Sequence, residues 1–366
     1  MELSAAQAAA GFQMPGRFIE VAPYGQGHIH DTYVVSRRLD DGTIRRFLLQ
    51  RLNQHVFKSP ERLMANIQRV TAHLSRVIIQ EGGQPERETL SLIRTKTGGS
   101  FLTTADGGCW RAFVFIEGAR TYQFPQSPAH VYHAGRAYGR FLHLLRDLPP
   151  EHLHESIPDF HNTEKRLQQL LRVAAADPVG RADAARPEIA FALQRAQIPS
   201  TLAQLRAAGE LPLRVIHNDT KYNNVMIDDR TGEGICVIDL DTVMPGLSLF
   251  DFGDAVRSIA NTAEEDEVDL SRVQFSLEKY EQFASGYLPV VKDLLTLEEA
   301  AQLSFSVRLI TYELGIRFLT DYLNGDHYFK THRPDHNLDR CRVQFKLLSE
   351  MESAEERMAA VTAKYL

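Results

Sequence analysis

Few cysteines, no surplus of positive charge and no long apolar run mark this chain, and each shortage excludes something. The three cysteines, Cys109, Cys236 and Cys341, lie far apart in 366 residues with no C-x-x-C between them. That excludes a disulfide framework and a cysteine-based zinc cluster, and predicts a reducing, cytoplasmic setting. Lys and Arg number 41 against 47 Asp and Glu, a formal charge of -6, so the basic surface of a nucleic-acid-binding protein is not expected. No segment approaches the roughly 20 apolar residues that cross a bilayer, and the opening "MELSAAQAAAGF" has Glu2 where a secretory signal carries positive charge, so neither a membrane nor export is expected. Nothing in the sequence reports an oligomeric state. What is present, 43% hydrophobic and 24% charged residues, suffices for a large core in two domains or one two-lobed domain.

The first third reads mostly as strands. "FIEVAPYGQGHIHDTYVVSRR" predicts two strands around a Gly-containing turn and "TIRRFLLQRLN" a third. One helix interrupts them: Ser59 stands at the N-cap with Pro60 in the first position, where its missing N–H costs nothing. Its apolar stripe is Leu63, Ile67, Val70, Leu74 and Ile78, the helical step of three and four. Strands near Leu90–Arg94 and Arg111–Ile116 follow. After Glu117 and Gly118 the pattern turns helical, beginning at Ser127 and Pro128 with Val131, Ala134, Tyr138, Phe141 and Leu145 on one face. Residues 172–186 suit either an exposed helix pair or a loop. "NVMI", "DDRTGEG" and "ICVI" predict an isolated hairpin, the acidic "AEEDEVD" at 263–269 a solvated helix start, and Thr296 with Glu299 a capping box opening a long helix.

The segment "RVIHNDTKYNNVMIDDRTGEGICVIDLDT" carries the chemistry. Transfer of a γ-phosphoryl group needs a carboxylate beside the attacking hydroxyl, oxygen ligands for a metal ion between the phosphates, and donors over the phosphate chain. In His217-x-Asp219-x-x-x-x-Asn224 a loop follows a short apolar strand, so Asp219 suits a catalytic base and Asn224 a metal ligand, with Asp239 returning on the far strand as the second hard oxygen ligand. A structural alternative has His217 and Asn224 bracing the loop and Asp219 capping a turn. The literal Asp251-Phe252-Gly253 lies too far on to be the metal-binding triplet, and Asp251 is expected to cap the following helix or to bond back to the loop that carries Asp219. Gly25 and Gly27, between two strands, would let backbone N–H groups approach phosphates, although G-x-G is more often only a turn. Arg51, ending the third strand, is either the cation for the α and β phosphates or a surface residue. His28, His30, His130, His133, His143, His152 and His154 have no metal-ligand spacing.

Taken together, "HNDTKYNN", "IDLDT" and "FDFGD" resemble the aminoglycoside phosphotransferase and choline kinase superfamily. "YGQGHIHDTY", "LLQRLN", "LMANIQRVT", "VIDLDTVMPGLSLFDFGD" and "GIRFLTDYL" extend the resemblance to the N-acetylhexosamine 1-kinases over most of the chain. The resemblance implies an α+β, two-lobed protein-kinase-like fold. Residues 1–117 would form a small nucleotide-binding lobe of antiparallel sheet plus one helix, and residues 118–366 a larger, mostly helical lobe with the catalytic loop and sugar site. It also implies ATP and Mg²⁺ as cofactors and transfer to the anomeric hydroxyl of N-acetylglucosamine or N-acetylgalactosamine, with Asp219 as base and Asn224 and Asp239 as metal ligands. Ile116–Gly118, with Glu117 at its centre, would be the hinge whose backbone meets adenine, and Arg317 and Tyr328 would contact the sugar. Read without the family, Arg317 four residues after Glu313 also describes a buried structural ion pair. Two positions depart from the family: His30 stands where Asn is common, and the helix after Pro60 has no acid in its middle, so Asn66 or Gln68 would replace the usual Glu partner of a strand cation. The alternatives in substrate are another hexose, an aminoglycoside, choline or homoserine. The alternative in class is a kinase-like binding module without turnover.

Overall fold

The computed structural model describes residues 2–25 and 29–366, in two compact units. Residues 1–121, 144–157 and 224–245 form the first, and residues 122–143, 158–223 and 246–366 the second.

The first unit holds strands β1 (Arg17–Pro23), β2 (Asp31–Arg38), β3 (Ile44–Arg51), β4 (Leu92–Ile93), β5 (Leu102–Thr103) and β6 (Cys109–Val114). They form an antiparallel sheet in the order β1-β2-β3-β6-β4, with β5 also on β6. Register fixes which side chains share a face: Leu49 pairs with Tyr33 and Ala112, Arg51 with Trp110, and Gln50 with Arg111. Leu49, Phe47, Tyr33, Trp110 and Ala112 pack beneath the N-terminal helix α1 (Glu2–Ala9), whose Ala5, Ala8 and Ala9 are buried. Small side chains let that helix lie close on the sheet. Helix α1 is an addition to the single helix expected here. The expected one, α2 (Pro60–Gln80), starts at Ser59 and Pro60 and buries Leu63, Ile67, Val70, Leu74 and Ile78; a short α3 (Pro85–Glu88) follows.

The predicted hairpin is present as β9 (Val225–Asp228) and β10 (Gly234–Val237), but it is not isolated: β7 (Ala119–Arg120) adds a third strand through Ala119 and Asp228. Two residues are too few to stand out as a strand in sequence. Ile116, Ala119 and Cys236, with Met226, Ile235 and Ile238, form its own apolar cluster.

The second unit is mostly helical, with α4 (Pro128–Leu144), α5 (Thr163–Ala176), α6 (Arg186–Leu193), α7 (Ile198–Ala207), the short strand β8 (Arg214–Ile216), α8 (Ser248–Ile259), α9 (Leu277–Val291), α10 (Leu297–Leu323), α11 (His336–Ser353) and α12 (Glu355–Tyr365). Helix α10 packs against α5, α8 and α11. It begins with the capping box foreseen from sequence: Thr296 Oγ1 accepts from the Glu299 N–H at 3.1 Å, and Glu299 Oε2 from the Thr296 N–H at 2.8 Å. Residues 172–186 divide between the end of α5, a turn that begins with Asp177 in the left-handed region at φ +40°, and the first residue of α6, Arg186. The acidic 263–269 segment is a loop rather than a helix start, because Asp266 turns back to His336 Nε2 at 2.8 Å and only Asp269 caps a 3-10 turn. Among the described residues no helix is long and apolar enough to cross a membrane.

Candidate active site

The candidate residues divide between the units: Gly25, Arg51, Glu117, Asn224 and Asp239 in the first, and Asp219, Arg317 and Tyr328 in the second. Gly27 lies outside the described residues.

Asp219 sits in a loop built from the strand end upward. Ile216 closes β8; then the backbone N–H groups of His217 and Asn218 both donate to the Asp251 carboxylate, at 2.8 and 2.7 Å, and Thr220 Oγ1 donates to the Asp251 carbonyl at 2.6 Å. Of the two roles expected for Asp251, the bond back to the loop is the one realised; its side chain does not cap α8. Asn218 adopts φ +66°, a conformation that Asn tolerates better than most residues and that commonly marks a constrained functional turn. His217 is fully buried, its ring met edge-on by Tyr138 and Phe141, and its Nδ1 accepts from the Asp219 N–H at 3.2 Å. The Tyr138 hydroxyl donates to the Lys221 carbonyl at 2.6 Å. The loop is thereby tied at each of the five residues 217–221.

Lys221 Nζ lies 2.9 Å from Asp219 Oδ1. Burial pushes the Asp219 carboxyl up, but Lys221 beside it outweighs burial and holds it below the usual carboxylate range, with His217 and Arg257 adding to the effect. The same pair holds the Lys221 ammonium above its ordinary value. Asp219 is therefore ionised at neutral pH and able to accept a proton. Lys221 was not singled out in the sequence; a cation two positions after the acid was the signal that could have found it.

Arg317 lies on α10 with its guanidinium carbon 5.5, 5.9 and 5.7 Å from the ring centres of Phe160, Tyr328 and Phe329. It is not the ion-pair partner of Glu313, because Glu313 is already taken: Oε1 lies 2.8 Å from His161 Nδ1, and Oε2 accepts from Thr163 Oγ1 at 2.5 Å. Tyr328 is 63% exposed, and its loop is held by Asp321, whose carboxylate accepts the backbone N–H groups of His327, Tyr328 and Phe329 at 2.8 to 3.0 Å.

In the first unit the hairpin register brings Asn224 and Asp239 close. Val225 pairs with Val237, and the Ile238 N–H donates to the Asn224 carbonyl at 2.9 Å, one residue short of Asp239. Asp239 itself turns at φ +62°. An amide oxygen and a carboxylate are hard donors, and two protein ligands completed by waters and phosphate oxygens are what Mg²⁺ usually receives. Among the described residues no group of three His, Cys, Asp or Glu could hold a metal. Two such donors could hold a divalent cation that phosphate oxygens also ligate.

The strand cations lie on opposite faces of the sheet. Arg51 shares a face with Leu49 and Trp110, pairs with Asp106 at 3.1 Å, and meets neither Asn66 nor Gln68. Asn66 instead bonds the backbone of His154 and Val243, and Gln68 accepts from Arg94 at 3.1 Å. The cation on the opposite face is Arg111, 3% exposed and paired bidentately with Asp241. His30 explains its own departure: Nε2 meets Asp241 Oδ2 at 2.6 Å and Nδ1 accepts from the Asn53 N–H at 3.0 Å. Arg111 stands out in "CWRAFV" only as a charge in an apolar strand. Glu117 directs its carboxylate to Arg46 and its carbonyl to Arg87 Nη1 at 2.6 Å. Gly25 lies two residues past the end of β1, at φ +73° with open space where a Cβ would stand.

A family model described as phosphotransferase enzyme family matches residues 20–287. The chain belongs to that family. It is accordingly an enzyme, a kinase-like phosphotransferase of small molecules. Solved structures with the same fold include a microcompartment-associated aminopropanol kinase, 16% identical over 98% of each chain with a TM-score of 0.57. The amicoumacin kinase hAmiN, in complex with AMP-PNP, Ca²⁺ and Ami, is 15% identical over 96% of this chain and 93% of that one, with a TM-score of 0.57. A choline kinase from Cryptosporidium parvum is 14% identical, covering 94% and 92%, with a TM-score of 0.55. Identities this low establish the shared α+β, kinase-like fold of this phosphotransferase and leave its acceptor open.

Proposed function

We propose that this phosphotransferase moves the γ-phosphoryl group of ATP to the anomeric (C1) hydroxyl of an N-acetylhexosamine, N-acetylglucosamine or N-acetylgalactosamine, giving the sugar 1-phosphate and ADP. The observation that carries the reading is Arg317: among the described residues no carboxylate or carbonyl takes its guanidinium, which is bordered by three aromatic rings. Unclaimed N–H donors beside ring faces suit a neutral, oxygen-rich sugar with an acyl carbonyl, and disfavour an acceptor that carries its own cation.

In this reading Asp219 orients the C1 hydroxyl and accepts its proton as that oxygen attacks the γ-phosphorus and the bond to the β-phosphate oxygen breaks. Lys221 balances the charge of Asp219 beforehand and faces the phosphoryl oxygens as charge develops on them. Asn224 and Asp239 would hold the divalent cation, Mg²⁺ in the cell. When bound, that ion neutralises the β and γ phosphates. Gly25 and Gly27 would approach the phosphates through backbone N–H groups, the backbone at Glu117 would meet adenine, and Arg317 and Tyr328 would contact the sugar. Of the strand cations, Arg111 commits its donors to Gln50 and Asp241, so Arg51, whose pair with Asp106 is exposed, would be the one for the α and β phosphates.

The test is ADP release with Mg-ATP against N-acetylglucosamine, N-acetylgalactosamine, glucose, galactose, glucosamine, choline and kanamycin, with phosphorus NMR to locate the new ester. A C1 phosphate on an N-acetylhexosamine is the expected product; turnover confined to another acceptor would overturn the sugar assignment. Asp219→Asn should keep nucleotide binding and lose roughly 10²-fold or more in kcat, and a near wild-type rate would remove Asp219 from the mechanism.

A further inference from the structure

His161 belongs to none of the motifs above, yet it joins two of the elements they use. It precedes α5, and its ring is packed between Phe160, with centroids 4.7 Å apart, and Phe250 at 4.9 Å. Nδ1 lies 2.8 Å from Glu313 Oε1 on α10, one turn before Arg317, and Nε2 lies 3.3 Å from the carbonyl oxygen of Asn218. A carbonyl oxygen only accepts, so Nε2 must carry a hydrogen. With Glu313 ionised, Nδ1 must carry one too, and the ring is an imidazolium with both donors engaged.

We propose that His161, clamped between the Glu313 carboxylate and the carbonyl of the Asn218–Asp219 peptide, is a positioning residue that sets the orientation of Asp219 and ties it to the helix bearing Arg317. The inference rests on the reading of Asp219 as the base. Asn218 stands at φ +66°, and the N–H of the peptide joining it to Asp219 donates to His217 Nδ1 at 3.2 Å, so His217 holds one side of that peptide and His161 the other. The Asp251 bonds hold the N–H side of this turn, and His161 holds the carbonyl that immediately precedes the Asp219 nitrogen. A rotation of that peptide would swing the Asp219 side chain away from its acceptor hydroxyl, where small displacements are costly.

The groups facing the ring agree with the charged form. Burial pulls the imidazole down, but Glu313, and after it Asp254, outweigh burial and the opposing Arg317 and hold it above its ordinary 6.5. Asp251 on α8 also feels the ring, and Thr163 on α5 occupies the second Glu313 oxygen. When pH rises through the folded pKa of His161, the proton retained is the one facing Glu313, and a bare Nε2 lone pair then opposes the Asn218 carbonyl. The peptide is released and turnover falls on the alkaline side.

The experiment uses full-length protein labelled with ¹⁵N. From about pH 5 to 8, where imidazoles ordinarily titrate, and on into the alkaline range, the Asp219 amide nitrogen should titrate together with the His161 ring in wild type and lose that titration in His161→Gln. An Asp219 amide indifferent to His161 overturns the clamp, whatever the enzyme phosphorylates. His161→Ala should lower kcat roughly 10- to 100-fold with the acceptor KM nearly unchanged, and His161→Gln, whose amide can still donate to the Asn218 carbonyl, should recover part of it without the alkaline fall. Equal kcat in Ala, Gln and wild type would also overturn the proposal. Should His161→Ala not fold, Glu313→Gln serves instead and should move the alkaline fall to lower pH; no movement counts against the clamp. If wild type transfers phosphate to no acceptor tried, the sugar reading fails, while the Asp219 amide titration still decides the role of His161.

Discussion

The Asp251 carboxylate accepts two buried backbone N–H groups at the base of the loop, so Asp251→Ala would strand both donors. Each costs about 1–3 kcal/mol when left unsatisfied, and urea unfolding should register a loss of roughly 2–5 kcal/mol together with lost activity. Burial pushes this carboxyl up to about 6, against the pull of His217 and of the two N–H donors. Its folded value lies above the unfolded 3.8, so the native state holds the extra proton. The stability this proton contributes is complete below about pH 4 and lost as pH rises through about 6. Asp251→Asn, which resembles the protonated form, should therefore show a shallower decline over that window than wild type. Arg317 differs in kind: among the described residues it bonds no acid, so Arg317→Ala should change stability little. If it binds an acceptor oxygen, it should raise the acceptor KM by roughly ten- to hundredfold, the value of a hydrogen bond to a charged group. Initial-rate kinetics beside a thermal melt separate the two effects.

At the scale of elements, the acids and bases of the second unit are placed by how closely helices approach. A Cβ on Gly253 of α8 would stand 2.6 Å from the Ser306 carbonyl oxygen on α10, and one on Gly286 of α9 would collide with the Tyr132 carbonyl on α4. These are backbone atoms and cannot move aside. Gly253→Ala should destabilise by about 1–3 kcal/mol through overpacking, measured by denaturant unfolding. It should also lower activity, since α8 carries Asp251 and Asp254 while α10 carries Glu313 and Arg317. A control at Gly180, in a turn where a Cβ has open space but φ is +70°, should cost only the backbone strain and leave kcat untouched.

For the molecule as a whole, the family match ends at residue 287, before α10, α11 and α12. The matched residues include Asp219, Asn224 and Asp239, whereas Arg317 and Tyr328 lie beyond them, in a part of the chain where the family match has no voice about the acceptor. The hairpin that presents Asn224 and Asp239 is closed by its own backbone bonds and a third strand. Removing divalent cations with EDTA should therefore abolish phosphoryl transfer while far-UV circular dichroism stays unchanged; loss of fold on chelation would show that the ion is structural.

Local chemistry was legible in the linear chain. The helix start at Pro60, where the Ser59 side chain makes no cap bond, the capped start at Thr296, the hairpin between Asn224 and Asp239, and the stripe along α2 follow from proline, capping, turn residues and periodicity, which act between neighbours. The family could be recognised because its motifs are short and contiguous. Only the tertiary structure decided which acid meets which base. Glu313 binds His161, 152 residues away, rather than Arg317 one turn along its own helix, and Arg111 rather than Arg51 is the buried strand cation because β3 and β6 pair in a register that sets the two on opposite faces. Such pairings depend on where separate elements come to rest, and a buried charge takes the partner that geometry brings within reach, for which no spacing along the chain is a guide.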